Sequence, residues 1–363
     1  MMRILDLIHR WGGGLLGLIL AVLGLSGAIL VHKELLVALP HANEAPLRST
    51  EEVGRLTAGL LDGAQGGESL VLASEQFGLV QLRKPGGGGL YADQRGEIVD
   101  RWNSQWERPE IWLFDLHHHL FADDTGEIVA GIAGLAGVVF VLSGTILWWR
   151  TRRTFRLRAW PARLSRPAIL MHHRDLGIVA APVLLLVCLT GSMIIFRPMA
   201  TFILSPLSPR ATIEADIKPP RLNSGPLSPA PDWQGMVRTA HAVFPDAQIR
   251  IVSLPRKPGD PIVVRMKRPA EWLPNGRTTV SFDAATGTML HKRDAMAMAR
   301  GSRVFNTLYP LHAAKVGGLP YRLVMTLAGL ALGLLGTLAT WTFWFKRPRR
   351  RNTGTLAAAP ANA

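Results

Sequence analysis

The sequence predicts a membrane α-helical protein with four transmembrane helices in two repeated halves and two small α+β domains outside the bilayer. Four stretches have about 20 mostly apolar residues, the length at which a helix crosses a bilayer, and they cover 11–31, 128–149, 169–196 and 323–345. Short motifs of the first stretch recur in the third. A long polar segment separates the two helices of each half and contains short β-type runs.

The charge distribution predicts how the chain crosses the membrane. The net charge is +15 over 363 residues, but the basic residues cluster in short segments beside helices, which marks the cytoplasmic side. Both termini and the central loop are therefore expected in the cytoplasm, with anionic membrane lipids as partners and no role in nucleic-acid binding. The clustered residues are Arg150, Arg152, Arg153, Arg156, Arg158, Arg163 and Arg166 before the third helix, and Lys346, Arg347, Arg349, Arg350 and Arg351 after the fourth.

These signals divide the chain into eight segments. The first half contains helix 1, an external domain, and an outer histidine segment that leads into helix 2. A basic cytoplasmic loop then connects to the second half, which repeats this order and ends in a cytoplasmic tail. The predicted boundaries are 1–32, 33–116 and 117–150 for the first half, 151–168 for the loop, and 169–198, 199–308, 309–346 and 347–363 for the second half and tail.

Each external segment is predicted to form a helix and a small antiparallel sheet. A helix is expected at 50–61, before β-type runs and a glycine turn at 86–89. A proline-rich connector precedes the second helix at 232–243, and a Gly287 turn closes a hairpin near the end of the second sheet. A helix packed over a small sheet is the common way to bury such a pattern.

Two membrane helices begin with the same His-Arg motif. His9 and His173 each have a glycine four residues later and another eighteen residues later. Eighteen residues make five helical turns, so each histidine and its glycines share one helix face. Two membrane helices that each carry an imidazole at one end of a glycine-lined face would hold a flat cofactor between them. The glycines are Gly13 and Gly27 in the first helix, and Gly177 and Gly191 in the third.

A second pair of histidines, His117 and His312, lies at the outer ends of the other two helices. Two axial histidines are what a six-coordinate b-type haem requires, whereas a metal-only site usually needs more ligands in one cluster. The sequence therefore predicts two haem b groups per chain, with axial ligands His9 and His173 on the inside and His117 and His312 on the outside. Filled axial positions favour one-electron transfer, and no catalytic acid, base or nucleophile stands out.

Several neighbouring histidines compete for these roles. His117 is the first of three, and adjacent helical side chains diverge by about 100°, so only one of them can face a given iron. His118 and His119 are solvated, bind a second ligand, or replace His117. His172 competes with His173, although the repeat favours His173, and His32 is a rival outer ligand. The single Cys188 excludes an intramolecular disulfide and a cysteine-ligated cluster.

The motifs carry a resemblance over nearly the whole chain. They resemble the PepSY-associated membrane protein family, and within it bacterial ferrisiderophore reductases of the ferrioxamine B reductase type. The matching motifs are Leu7-Ile8-His9-Arg10-Trp11, Leu25-Ser26-Gly27, Leu116-His117, Gly144 with Trp148-Trp149-Arg150, His173-Arg174-Asp175-Leu176-Gly177, Leu189-Thr190-Gly191, and Leu311-His312 with Gly317-Gly318.

This resemblance implies a haem b protein of the bacterial inner membrane with two periplasmic PepSY-type domains. It also implies electron transfer across the membrane to a ferric siderophore in the periplasm, where reduction would release Fe(II). The electron donor is not identified by any residue set, and a membrane quinol is one candidate. The alternatives are a transporter for iron chelates or other solutes, a sensory or binding module, and a haem subunit that feeds another periplasmic reductase.

Overall fold

The structure is a computed structural model that describes residues 2–63, 67–158 and 160–345. In this part of the chain, ten α-helices and eight β-strands occur in two rounds of similar order. The helices are α1 Met2–Leu30, α2 Thr50–Leu61, α3 Pro109–His119, α4 Asp123–Trp149, α5 Arg166–Ile195, α6 Arg197–Ile203, α7 Arg210–Ile217, α8 Trp233–Val243, α9 Arg300–His312 and α10 Gly318–Trp344. The strands are β1 Ser69–Val71, β2 Val80–Arg83, β3 Gly89–Ala92, β4 Ile98–Trp102, β5 Gln248–Ser253, β6 Ile262–Lys267, β7 Thr278–Phe282 and β8 Met289–Arg293.

Among the described residues, α1, α4, α5 and α10 are long and apolar enough to cross a membrane. The prediction of four membrane helices is therefore confirmed. Large apolar side chains such as Leu15, Leu18, Leu142 and Leu330 lie exposed on the outside of these helices. A surface with this much exposed apolar area needs an apolar solvent, so the chain is a multi-pass membrane protein.

All four membrane helices begin earlier than their apolar stretches. For example, α1 begins at Met2 rather than at residue 11, and α5 begins at Arg166 rather than at residue 169. Their first turns contain polar residues, which an apolar window excludes although they are helical. His9 and His173 consequently lie inside their helices, each seven residues after the first one (Met2 to His9 and Arg166 to His173).

Helices α1 and α10 approach closely because glycines face each other. A Cβ atom on Gly17 would lie 2.7 Å from the carbonyl oxygen of Gly336, and one on Gly24 would lie 2.7 Å from that of Gly329. Small residues at such contacts let backbones pack directly against each other in a membrane, where no hydrophobic force holds helices together. This contact therefore fixes the position of α1 within the bundle.

The two ends of the bundle differ in what they carry. Residues 31–122 and 196–317 leave from one end and contain every described strand, so we call it the sheet-side end. The opposite, sheet-distal end carries the first residues of α1 and the arginine-rich loop between α4 and α5. The second predicted basic run, 346–351, and the predicted tail at 347–363 lie outside the described residues. Which end faces the cytoplasm remains a prediction.

Strands of both external segments join in one antiparallel sheet. In the described part of the chain its order is β4-β3-β2-β1-β5-β6-β7-β8. Strands β1 and β5 pair in the middle, with Leu70 opposite Val252. Each segment thus supplies its own helix and four strands, as a small α+β unit would, but the two units share a sheet. The strand order is mirrored about the β1–β5 pair, as two copies related by a two-fold axis would give. That the chain consists of two repeated halves remains an interpretation.

One hydrophobic core lies between this sheet and helices α2 and α8. It contains Leu70 and Val80 from the first segment together with Val252, Phe282 and Val237 from the second. Each segment alone would bury little apolar surface, and small domains are marginally stable for that reason. Pairing β1 with β5 lets the two segments share one larger core.

The predicted elements of the external segments agree in most places with the structure. The helix at 50–61 has the expected bounds, and the helix predicted at 232–243 begins one residue later, at Trp233. Strand β3 was not predicted, because its first residue, Gly89, was assigned to the glycine turn. Helices α6 and α7 were missed in the proline-rich connector, where Pro198 lies in the first turn of α6, a position that tolerates proline because its missing N–H has no helical partner.

We expect Gly24→Val to destabilise the bundle by about 1–3 kcal/mol, as overpacking of a tight contact does. The added side chain would meet the backbone of α10 at Gly329 and Gly333. The measurement is the thermal unfolding of detergent-solubilised protein. The matched control is Leu18→Val on the same helix, where the side chain is 59% exposed. Equal unfolding temperatures for the two variants would contradict the close α1–α10 contact.

Candidate functional site

The first predicted histidine pair comes together near the sheet-distal end. The rings of His9 on α1 and His173 on α5 have centroids 6.3 Å apart and are nearly perpendicular, at 83°. Helix α4 supports the His9 ring, because Ser143 Oγ lies 2.8 Å from His9 Nδ1. A Cβ on the next residue, Gly144, would lie only 3.2 Å from His9 Cε1. We call His9 and His173 the sheet-distal pair.

The second predicted pair comes together at the sheet-side end. His117 in the last turn of α3 and His312 in the last turn of α9 have ring centroids 6.1 Å apart. Each ring lies against a glycine of a membrane helix: a Cβ on Gly27 would be 2.9 Å from His117 Cε1, and one on Gly191 would be 2.9 Å from His312 Cε1. The glycines eighteen residues after His9 and His173 thus make room for the rings of the other pair. We call His117 and His312 the sheet-side pair.

Hydrogen bonds determine which ring nitrogen of His117 carries the proton. Ser26 Oγ donates to the carbonyl of Val22 at 2.7 Å, so it accepts from His117 Nδ1 at 3.0 Å. The proton of the neutral ring therefore lies on Nδ1, and Nε2 keeps its lone pair. Burial, and then the neighbouring His312, lower the pKa of His117 to about 3. The ring is therefore neutral, the form that binds a metal.

The same argument applies to His312 and His9. His312 Nδ1 lies 3.1 Å from the carbonyl oxygen of Val187, which can only accept, so the nitrogen donates. Ser143 Oγ donates to the carbonyl of Phe140 at 3.3 Å and accepts from His9 Nδ1. Burial also lowers the pKa of His312. In all three rings Nε2 is the nitrogen with the free lone pair, and metal-binding histidines are held through their other nitrogen in this way.

His173 differs from the other three rings. Its Nδ1 is buried and has no well-formed hydrogen bond to any described residue. Helices α4 and α10 match through the eight-residue steps Leu135–Ser143 and Leu327–Leu335. The residues of α10 that correspond to Ser143-Gly144 are therefore Leu335-Gly336, which offer no hydroxyl group. His172 next to it is 4% exposed, and neither of its ring nitrogens has a partner among the described residues. His173 is nevertheless the ring that faces His9.

The hydroxyl groups beside the glycines were not predicted as functional residues. The sequence analysis singled out Gly27, Gly144 and Gly191 but assigned no role to the hydroxyl residue before each of them, which is Ser26, Ser143 and Thr190. In the structure the hydroxyl group accepts the ring proton at the first two steps, and Thr190 Oγ1 lies 3.3 Å from His312 Nδ1 at the third. The recurrence of a hydroxyl residue directly before glycine was the signal that could have identified them.

The remaining candidate histidines lie outside both pairs. His118 and His119 follow His117 on α3, and their rings contact each other and Glu127 of α4 rather than the sheet-side pair. His32, the rival outer ligand, has its Nε2 2.8 Å from Thr326 Oγ1. The structure therefore assembles two ring pairs from the four histidines that the repeats favoured.

Comparison with known proteins identifies the family of the chain. The family model described as the PepSY-associated TM region matches residues 7–347. The chain belongs to this family. Among curated proteins, none matches the chain. The match covers both histidine pairs, the sheet, and the four membrane helices except the first five residues of α1 in this PepSY-associated protein.

The ring separation in each pair is that of two imidazoles sharing a single metal ion. With a metal–nitrogen bond of about 2 Å and about 1 Å from a ring nitrogen to its centroid, two opposed imidazoles place their centroids about 6 Å apart. The observed centroid separations are 6.3 Å and 6.1 Å. A Cβ on Gly177, one turn after His173 on the same face of α5, would meet no atom within 4 Å, so this face of α5 is open at that position. The residues present therefore fit the axial ligation of haem that the family resemblance implies.

A buried ion pair lies close in sequence to the sheet-side pair. Lys315, three residues after His312, places Nζ 2.5 Å from Glu34 Oε1, and the Lys315 side chain is 5% exposed. Burial raises the pKa of Glu34, but the charge and hydrogen bond of Lys315 lower it by more, so the pKa lies below its ordinary value. The pair thus ties the segment after α1 to the connection between α9 and α10 in this PepSY-associated protein.

We expect Lys315→Met to destabilise the protein by about 3 kcal/mol, because it leaves a buried carboxylate without its partner. The double variant Glu34→Met/Lys315→Met should recover most of this loss. Since the pKa of Glu34 is lowered, the pair contributes fully above about pH 4.5 and its contribution is lost as the pH falls further. Chemical unfolding of all three proteins at neutral pH measures the effect. A double variant no more stable than Lys315→Met would contradict this account.

Proposed function

We propose that this chain is a di-haem b electron-transfer protein of the bacterial inner membrane that reduces Fe(III) in periplasmic siderophore complexes and releases Fe(II). In this proposal the sheet-distal pair lies on the cytoplasmic side, together with both termini. The sheet and the sheet-side pair lie in the periplasm, where the ferric siderophore is the partner. The proposal makes the protein an oxidoreductase of the ferric-chelate reductase class.

One observation carries the proposal: two ring pairs at metal-bridging separation, three of whose rings keep the Nε2 lone pair free. A buried histidine that served only packing would not need a second histidine 6.1 or 6.3 Å away. The two pairs lie at the two ends of a membrane bundle. Neither a transporter nor a sensory module would require two such histidine pairs. Their presence therefore favours electron transfer across the bilayer.

The protein residues have holding and insulating roles in this proposal. His9 and His173 would hold one haem and His117 and His312 the other, and each haem would supply one-electron transfer. Ser26 and Ser143 keep the proton of their histidine on Nδ1, which orients the ring and strengthens it as a ligand. Apolar side chains of the four helices exclude water between the two sites.

The proposed reaction requires one electron for each iron. Fe(III) in the siderophore gains an electron and becomes Fe(II), which the hard oxygen donors of such a chelator hold less strongly. A membrane quinol, the candidate donor, would give up two electrons and two protons and so serve two ferric complexes. No proton needs to reach the iron, which agrees with a sheet-side pair that is neutral and deeply buried.

We expect the purified wild-type protein to carry about two low-spin b-type haems per chain. His173→Ala and His312→Ala should each reduce the haem content by about half, because each variant removes one axial ligand of one pair. The double variant should be nearly colourless. Pyridine haemochrome quantification and the reduced-minus-oxidised spectrum measure the content.

The chain offers matched controls for this experiment. His172→Ala removes the neighbour of His173, and His32→Ala removes the rival ligand of the sheet-side end. Both should keep the full haem content, because neither ring faces another histidine. A colourless wild-type protein made with sufficient haem would rule out the proposal, and loss of haem in His172→Ala but not in His173→Ala would reassign the ligand.

We expect the anaerobically reduced protein to be reoxidised by a ferric hydroxamate siderophore, with one Fe(II) formed for each electron lost. Stopped-flow absorbance follows the haem, and a chromogenic ferrous chelator counts the product. His312→Ala should slow the reaction at least tenfold if its pair passes electrons to the chelate. The iron-free siderophore is the control and should leave the protein reduced.

This second experiment also separates the alternatives. A protein that holds haem but stays reduced with the ferric chelate, until a second periplasmic protein is added, would be a haem subunit of another reductase. Uptake of intact ferric chelate into proteoliposomes without any haem signal would instead identify a transporter.

A further inference from the structure

The last turn of α3 carries two imidazoles that neither pair uses. His118 Nδ1 and His119 Nε2 are 2.9 Å apart, and His118 Nε2 lies 3.8 Å from Glu127 Oε1 on α4. One ligand atom from each of these three residues lies within 4.8 Å of the other two. A metal ion with bonds of about 2 Å has ligand atoms roughly 3–4 Å apart, so the three side chains need little movement to share one ion.

The chain reversal between α3 and α4 creates this cluster. Leu120 and Phe121 both have positive φ angles, 49° and 60°, which turn the chain sharply after His119. Gly126 then packs directly against the carbonyl oxygen of His119, where no Cβ could fit. The first turns of α4, including Glu127, are thereby held against the last turn of α3. The separation of these three side chains is set by the backbone rather than by flexible loops.

Further contacts orient both imidazoles. His119 Nδ1 lies 2.9 Å from Asp115 Oδ1 and donates to it, so the lone pair of His119 is on Nε2. That lone pair accepts from His118 Nδ1, and a small rotation of the His118 ring would free it for an ion. Asp115 is itself held by Gln105, whose Nε2 donates to its other oxygen at 3.1 Å. The His118 ring stacks on Phe114, at 5.4 Å and 10°. A carboxylate that holds the outer nitrogen of a histidine is characteristic of metal sites.

We propose that His118, His119 and Glu127 form a binding site for one divalent transition-metal ion. Two imidazoles and one carboxylate with open coordination positions are the ligand set that suits Fe(II) among such ions. The side chains of the three residues are 29%, 29% and 32% exposed, so an ion can enter from solvent and keep water at its open positions. The ring of His117 turns towards His312 instead, so this site and the sheet-side pair do not compete for a ligand.

The identification of the ion as Fe(II) rests on the proposed function, because reduction at the sheet-side pair would release ferrous iron next to this site. The site itself does not depend on it. We infer that the metal site receives the reduced iron as it leaves the chelate. It would hold the ion away from the freed siderophore at the point where the two would otherwise meet again.

The test measures metal bound to the full-length protein, purified in detergent through a tag without histidines. Anaerobic equilibrium dialysis with Co(II) and, separately, with Fe(II) should show one ion per chain beyond haem iron. His119→Ala and Glu127→Gln should each weaken binding at least tenfold, and Asp115→Asn should weaken it by about 10–100-fold, as loss of an orienting carboxylate does. His41→Ala is the control, since it removes another histidine–carboxylate pair, 2.6 Å from Glu44, and should change nothing.

The haem spectrum, recorded on every sample, distinguishes the two proposals. Haem-loaded protein that binds no further metal, or binds it equally in Glu127→Gln and His119→Ala, would overturn the metal site alone. Colourless protein that still binds one Co(II), lost in these variants, would support the site and overturn the proposed function. An unchanged haem spectrum in the variants shows that the loss of metal is not a loss of fold.

Discussion

A buried imidazole offers a lone pair at the lowest cost when the proton on its other nitrogen has an acceptor. In the interior of a membrane bundle that acceptor must come from the protein, since an unsatisfied polar group there is costly. Serine hydroxyl groups of α1 and α4 and a carbonyl of α5 meet this need for His117, His9 and His312. The glycine beside the serine or threonine at each contact gives the ring room to approach. Helices α1, α4 and α5 are therefore placed so that these acceptors reach the rings.

The sheet has a structural role in the same site. Helices α3 and α9 do not cross the membrane, and each connects a half of the sheet to the next membrane helix. Because β1 and β5 pair, the two halves form one body, and the ends of α3 and α9 are held facing each other. The Glu34–Lys315 ion pair adds a second link at the same end. The pairing of β1 with β5 thus helps to bring His117 and His312 together, although both strands lie far from these residues along the chain.

The sequence was sufficient to predict the membrane helices and the four paired histidines. Both follow from local signals: apolar length, and the recurrence of His-Arg with glycines at fixed spacing. The joined sheet could not be predicted in this way, because the β1–β5 pairing is made by backbone hydrogen bonds that leave no mark on side-chain pattern. Glu127, the third residue of the proposed metal site beside His118 and His119, also could not be identified from the sequence. Glu127 reaches them only through the left-handed turn at Leu120 and Phe121, where two apolar residues gave no turn signal.

Helices α1 and α5 each take part in both ring pairs, and this determines how far apart the pairs lie. On α1, His9 belongs to the sheet-distal pair and Ser26 supports the sheet-side pair. Seventeen residues of helix span about 25 Å, close to the roughly 30 Å thickness of the hydrocarbon layer. A single ring pair would be separated from one face of the membrane by most of that layer. Two pairs on the same helices leave one site near each face, which is the arrangement that electron transfer across a bilayer requires.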